Sequence, residues 1–344
     1  MTSASGVYDG FVSDYALPKM AVFLLVFALV AEVPAQESAT LELTKTIPLP
    51  GVEGRFDHFG IDLQDQRLFV AALGNDTLEV LDLAAGKRLH SVVGLRKPTG
   101  VLYLPAPNRL FVANGDDGTF QAFAATDFKR VSSLGSLEDA DNVRYDARSE
   151  TIYVGYGDGA LGVTDTAAAT LIASVKLPAH PESFQLEKQG NRIFVNVPGA
   201  NQVAVIDREK RALIASWPMK QFKANFPLAL DETNHRLFVG CRSPAKLVVM
   251  DSTDGKIVTD LTISGDTDDL FYDAKRKRLY VSCGEGLVDV IEQRSADSYQ
   301  LRARIKTSAG ARTSFFSPER DEFYLAVPEL GGQAAEVRVF AVQD

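Results

Sequence analysis

The chain predicts an all-β fold, a seven-bladed β-propeller closed by pairing of its N-terminal strand with the last blade. Three observations predict it. The first is a short apolar stretch, Arg67-Leu-Phe-Val-Ala71, that returns as Arg109-Leu-Phe-Val-Ala113, Thr151-Ile-Tyr-Val-Gly155, Arg192-Ile-Phe-Val-Asn196, Arg236-Leu-Phe-Val-Gly240, Arg278-Leu-Tyr-Val-Ser282 and Glu322-Phe-Tyr-Leu-Ala326. The second is the spacing, since successive copies start 42, 42, 41, 44, 42 and 44 residues apart. A period of roughly 40–45 residues holding several short strands marks one propeller blade per repeat. The third is an imbalance at the ends. The last repeat has three evident strands, ending in Glu336-Val-Arg-Val-Phe-Ala-Val342, and an orphan strand, Thr40-Leu-Glu-Leu-Thr-Lys-Thr-Ile47, precedes the first. Pairing the two ends removes the open edge that an unclosed ring would expose.

Each repeat divides into strands a to d. In the first, His58–Leu63 is strand a, Arg67–Ala72 strand b, Thr77–Asp82 strand c and Arg88–Val93 strand d. Asn75-Asp76 makes the b–c turn, and Asp82-Leu-Ala-Ala-Gly86 the c–d turn. There the Asp accepts backbone N–H groups and the Gly supplies positive φ. The turn returns at Asp251-Ser-Thr-Asp-Gly255 and, without its Gly, at Asp165 and Asp207. Repeats start near residues 56, 98, 140, 181, 225, 267 and 311.

Residues 1–35 stand outside this register. Lys19 precedes the apolar run 20–31, and Val33-Pro-Ala35 reads as a small-residue cleavage site. The run is too short to span a bilayer and suits the core of an export signal. Asp9 and Asp14 are foreign to such a leader, so translation from Met20 instead of Met1 is a second option. The expected mature chain, residues 36–344, is periplasmic or secreted, with no membrane span after cleavage. Its composition, 46% hydrophobic and 24% charged in the full chain, is globular. The net charge is −9, and removing the leader leaves the chain acidic. An acidic surface repels phosphate backbones, which makes nucleic acid a poor partner.

Cys241 and Cys283 each directly follow strand b in neighbouring repeats. Equivalent points on adjacent blades lie farther apart than the roughly 7 Å a disulfide permits. Two small, partly buried thiols are therefore expected. The lone Trp217 closes an outer strand and is read as packing.

The repeats resemble the YVTN-type β-propeller proteins, exported bacterial propellers with about 40 residues per repeat. Arg109-Leu-Phe-Val-Ala-Asn114 and Arg192-Ile-Phe-Val-Asn196 carry the strand motif, and Gln202-Val-Ala-Val-Ile-Asp207 the strand after it. The resemblance spans about residues 40–342. It implies a closed propeller outside the cytoplasm. It leaves activity open, because related propellers include metal-dependent lactonases, a quinone-bearing amine dehydrogenase subunit and a periplasmic binder of single-stranded DNA.

Registering the repeats on strand b locates a candidate site. Ten residues before it stand Asp57, Thr99, Asp141, Glu182, Phe226, Asp268 and Arg312, and nine before it His58, Gly100, Asn142, Ser183, Pro227, Asp269 and Thr313. Six before it the column is Ile61, Tyr103, Tyr145, Leu186, Leu230, Tyr272 and Phe316. The inner strands thus pack apolar groups between blades and lift a polar ring to one mouth of the channel, on the face where the b–c turns open. The candidate ligand-binding residues are Arg55, Asp57, His58, Asp141, Asn142, His180, Glu182, Asp268, Asp269 and Arg312, with Lys97 and Lys223 nearby. Three readings compete. The acids can be structural, capping backbone N–H groups or pairing with arginine. They can hold a hard cation, Ca²⁺ or Mg²⁺, through Asp141, Asn142, Glu182, Asp268 and Asp269. Or they can form a polar pocket for a small molecule or peptide, with Arg55 or Arg312 orienting an anionic group. His58 and His180 belong to blades nearly opposite each other, so one metal bridges them only across a narrow channel. His90 and His235 are expected at the surface. No nucleophile elbow, phosphate loop or haem-attachment motif is present. The function expected first is a binding module, for a small molecule or a protein, acting through this mouth. The alternative is a metal-dependent, lactonase-like hydrolase or lyase.

Overall fold

A computed structural model describes residues 40–344 and, before them, Gly6 and Gly10. The apolar run at 20–31 and its cleavage site lie outside the described residues. Seven four-stranded antiparallel sheets form the ring. The innermost strands are Phe59–Asp62, Pro98–Leu104, Val143–Asp146, Phe184–Leu186, Lys223–Asp231, Thr267–Asp273 and Thr313–Ser317. Each is followed outward by its strand b, which begins at the repeated motif. The seventh sheet carries the N-terminal strand Leu41–Pro48 at its outer edge, antiparallel to Glu336–Val342, with Leu41 opposite Val342 and Pro48 opposite Glu336. The expected closure is therefore present. Among the described residues, no helix is long and apolar enough to cross a membrane.

The core is divided into seven apolar layers, each shared by two neighbouring blades. One layer joins Leu68, Val70 and Leu81 of the first blade to Tyr324 and Val337 of the seventh. Another joins Phe69 and Val80 to Leu110 and Val112 of the second. A b strand sits inside the ring with a neighbour on each face, so both sets of its side chains are buried. That is why the repeated motif is an unbroken apolar run and lacks the alternation of a half-buried strand. The outer strands can show that alternation instead, as in Ser298–Lys306. Trp217 packs 5.7 Å from Phe194 in one layer, and Cys241 and Cys283 are free thiols, fully buried in that layer and in another. Burial pushes the Cys241 thiol up to about 12, so neither the location nor the ionisation favours reactivity.

The arginine that opens the motif has a second role. Arg67 pairs with Asp62 at the end of its own strand a (2.6 Å) and donates to Ala125 O in the c–d turn of the next blade (2.6 Å). Arg192 does the same with Glu187 and Ser252 O, and Arg236 donates to Ala296 O. Arg109 reaches Thr166 O at the equivalent turn, and Arg278 reaches Gln343 O just past the strand Glu336–Val342. Where the motif lacks arginine, another cation substitutes. The third blade begins strand b with Thr151, and Arg208, from the next blade's turn, pairs back to its Asp146 at 3.2 Å. The seventh begins with Glu322, and Lys45 of the closing strand donates to Leu83 O. A cation thus bridges every blade to the next. Arg67→Met is expected to leave a nearly inaccessible Asp62 carboxylate without its charge partner and to cost about 3 kcal/mol, a fall in Tm of roughly 5–10 °C. Thermal unfolding of the purified variant measures this.

Candidate functional site

Three blades present their polar residues by one backbone device. The N–H of Asp57 donates to Ala71 O while Ala71 N–H donates to His58 O. The same reciprocal pair links Asp141 and Asn142 to Gly155, and Glu182 and Ser183 to Asn196. Each entrance dipeptide is thereby tied to its strand b just before strand a begins, which fixes side chains over the mouth. All ten residues singled out from the sequence line one cavity of about 230 Å³, together with Lys97, Asp139, Phe226 and Arg242.

The cavity has two unlike sides. On one, Arg242 and Arg312 hold Asp268, at 2.5 and 3.0 Å, and also reach Asp266. Arg242 lies 4.0 Å over the Phe226 ring. This side is an arginine–carboxylate network with its charges matched. Burial still lifts the Asp268 pKa, against the pull of both arginines.

On the other side carboxylates and imidazoles converge. Asp57 and Arg55 are 3.2 Å apart. His58 Nδ1 stands 2.6 Å from Asp57 Oδ1, off the angle a hydrogen bond needs, and 3.9 Å from Asp141 Oδ1. His180 Nε2 stands 3.9 Å from Asp141 Oδ2, while its Nδ1 lies 2.7 Å from Gly157 O. Two groups of ligand atoms result, each drawn together within 4.8 Å: Asp57–His58–Asp141 and Asp141–His180–Glu182. Asp141 belongs to both. Its Oδ1 and the Oδ1 of Asn142 are buried without a hydrogen-bond partner. The two histidines come from the distant blades expected, and the mouth has the narrowness that a shared metal would need, since each imidazole stands 3.9 Å from an oxygen of Asp141. The five-oxygen set expected for a hard cation, by contrast, is divided. Asp268 is held by arginines and Asp269 accepts Ser314 N–H at 2.7 Å, so neither joins a converging group among the described residues.

The crowding shows in the protonation equilibria. Burial and the Asp141 charge push Glu182 up to about 8. Burial pushes Asp269 up to about 7 despite the opposing pull of His58. Burial resists a charge on either histidine but is outweighed by neighbouring carboxylates. Asp57 and Asp141 lift His58 to about 10, and Asp141 lifts His180 to about 9. Burial likewise opposes ionisation of Asp57, but His58 and Arg55 outweigh it and hold its pKa below the usual value. The five raised groups, Asp268 among them, bind protons more tightly folded than unfolded. Their stabilisation is complete below the unfolded values and is lost as pH rises through the folded ones. Without metal, Tm is therefore expected to fall from about pH 5 to pH 10, the acids contributing the lower part of that window and the histidines the upper. Melts in EDTA across this range measure it; a flat or rising profile contradicts it.

Gly100 is the one entrance position where close approach forbids a side chain. A Cβ there would stand 2.2 Å from Asp141 O and 2.6 Å from Val143 Cγ2. Gly100→Ala is expected to push the Asp141 backbone aside and weaken whatever Asp141 binds, while changing no polar group itself. A binding isotherm beside a melt separates this displacement from general instability.

Sequence reasoning missed Arg242, whose strand b runs on past the motif as Arg236–Ser243. It missed Asp266, which lies before the registered columns. It also passed over Arg144, seven residues before strand b, in a column otherwise made of Gly60, Leu102, Gln185, Ala229, Phe271 and Phe315. The signal was present there, as the single charge in that column.

No family model matches the chain, and no curated protein matches it. Solved propellers do. A chain of the Kuenenia stuttgartiensis hydrazine synthase is 15% identical, with 86% of this chain and 99% of that one covered at a TM-score of 0.73. A chain of the mitotic checkpoint complex is 12% identical, with 95% and 99% covered at a TM-score of 0.75. At these identities the likeness is one of fold.

Proposed function

We propose that the protein is a ligand-binding module whose channel mouth holds a divalent cation between Asp57, His58, Asp141, His180 and Glu182, leaving coordination positions for the ligand it recognises. One observation carries this reading: Asp141 is common to two converging groups, each with a histidine, and has a buried carboxylate oxygen without a partner. A cation would favour the charged form of Glu182, which burial and the Asp141 charge now disfavour. The donor set speaks for the class of metal. Imidazole nitrogen with carboxylate suits Mn²⁺, Fe²⁺ or Zn²⁺ better than Ca²⁺ or Mg²⁺, which prefer all-oxygen shells. Elemental analysis of purified protein, with melts in EDTA and in added Mn²⁺ or Zn²⁺, tests the proposal. Near-stoichiometric metal and a Tm that rises with it are expected. No metal, together with no response to either cation, overturns it.

A second reading is a metal-assisted hydrolase of the lactonase type. It is favoured by the three-ligand character of each group, which would leave room for a metal-bound water, and by Glu182, a carboxyl that still holds a proton near neutral pH. Hydrolysis of simple lactones by the metal-loaded protein, lost in Glu182→Gln, tests it. Export belongs with either reading, on the strength of the leader-like segment at 1–35. N-terminal sequencing of the mature protein is expected to begin at Gln36.

A further inference from the structure

Below the mouth the channel widens into a second cavity of about 410 Å³, a size that accepts a small organic molecule. Its walls are chiefly apolar and aromatic, with Tyr103, Tyr145, Phe271 and Phe315 among them. Arg144 lies on this wall. Its Nη1 donates to Val143 O at 2.8 Å, and its guanidinium lies 5.6 Å over the Phe184 ring. Among the described residues, no carboxylate oxygen comes within 4.0 Å of its nitrogens, although every other arginine lining either cavity has such a partner. A guanidinium offers five N–H donors, and here one backbone carbonyl is the acceptor recorded. Desolvating a cation without a counter-charge is costly, and an apolar residue at this position would avoid that cost.

We infer that the channel beneath the mouth is a binding site for a small organic acid, with its carboxylate on Arg144 and an aromatic or aliphatic body between the channel rings. The planar guanidinium suits a carboxylate, which can accept two parallel N–H bonds from it. Asp269 borders both cavities and opposes an anion placed too high, so the ligand's charge is confined to the level of Arg144. Gln185 also lines the cavity; its amide donates to Leu228 O at 3.0 Å. Its carbonyl is suited to accept from a hydroxyl on the ligand. The inference stands on Arg144 and the lower cavity, separately from the proposed cation.

The test uses three probes with one body: 3-phenylpropionate, 3-phenylpropanol and phenethylamine. Each is titrated by calorimetry into the chain in EDTA, and again with Mn²⁺. Saturable binding of the acid, at least tenfold tighter than either other probe, is expected in one or both conditions. Arg144→Leu is expected to lose this preference and to melt no lower than the wild type, because it removes a half-buried charge that has no ion-pair partner. Leu102→Trp, which fills the channel and keeps Arg144, is expected to lose the acid as well. The metal content of Arg144→Leu is expected to match that of the wild type, so a missing cation and a missing acid site are told apart. The inference is overturned if the acid does not bind at millimolar concentration in either condition, or if the amine binds as tightly. It is also overturned if either variant retains the acid at wild-type affinity.

Discussion

Asp141→Ala is expected to abolish stoichiometric metal binding at the mouth and to make Tm indifferent to EDTA. The effect should be large because one carboxylate serves both converging groups. Losing it leaves Asp57 with His58 on one side and His180 with Glu182 on the other, each a two-residue remnant. Removing an outer-shell partner of a metal site typically costs about 10–100-fold in affinity, and loss of a shared direct ligand should exceed that. Asp268→Asn provides the comparison. It lies in the same cavity but is engaged by Arg242 and Arg312, so it is expected to disturb the arginine network and leave metal content near the wild-type value. Elemental analysis of the two variants checks both statements. Equal metal in Asp141→Ala and wild type would remove the basis for a cation at this mouth.

Deleting residues 40–49 is expected to be the most damaging change to the fold. Leu41, Ile47 and Leu49 are almost completely buried, and each side chain contributes about 1.5–3 kcal/mol on burial. Their sum is comparable with the roughly 5–15 kcal/mol that stabilises a typical domain. The deletion also leaves Glu336–Val342 as an unpaired edge and removes Lys45 from Leu83 O. Loss of cooperative unfolding, or a Tm lowered by more than about 15 °C, is the expected outcome by calorimetry. A synthetic peptide of residues 40–49 added in trans should restore part of it. A deletion that melts within a few degrees of the full chain would show that the ring does not depend on this strand.

The fold was legible because the propeller writes its geometry into the sequence. A strand flanked by a blade on each face must be apolar, and in five of the seven blades the latch to the next puts an arginine at its start. Those two features make Arg67-Leu-Phe-Val-Ala71 and its copies visible without an alignment. The mouth was legible for a related reason, since entrance dipeptides at a constant offset from strand b, such as Asp141-Asn142, are tied to it by the same backbone bonds. What escaped was distance across the ring. Nothing in the offsets of His58 and His180 tells how narrow the mouth is, and so nothing told that Asp141 would stand between them. Arg242 escaped because the fifth blade's b–c hairpin is longer than the repeat motif. Arg144 escaped because its column was not among those compared, although its counterparts around the ring, such as Leu102 and Phe315, mark it as foreign.

The closing strand also imposes an order in time. Thr44 donates to Val339 O across 295 residues of sequence, so the strand Leu41–Pro48 finds its partner only when Glu336–Val342 has been made. Six blades can form from contiguous chain, each a local meander, while the seventh waits for both ends. Such a long-range contact carries a late entropic cost and should make ring closure the slow step of folding. During that interval Leu41 and Ile47 lie open on one segment and Val337 and Phe340 on the other. The half-built ring offers an adhesive edge to any neighbouring chain in the same state, and exchange of first strands between two copies is the misassembly this architecture invites.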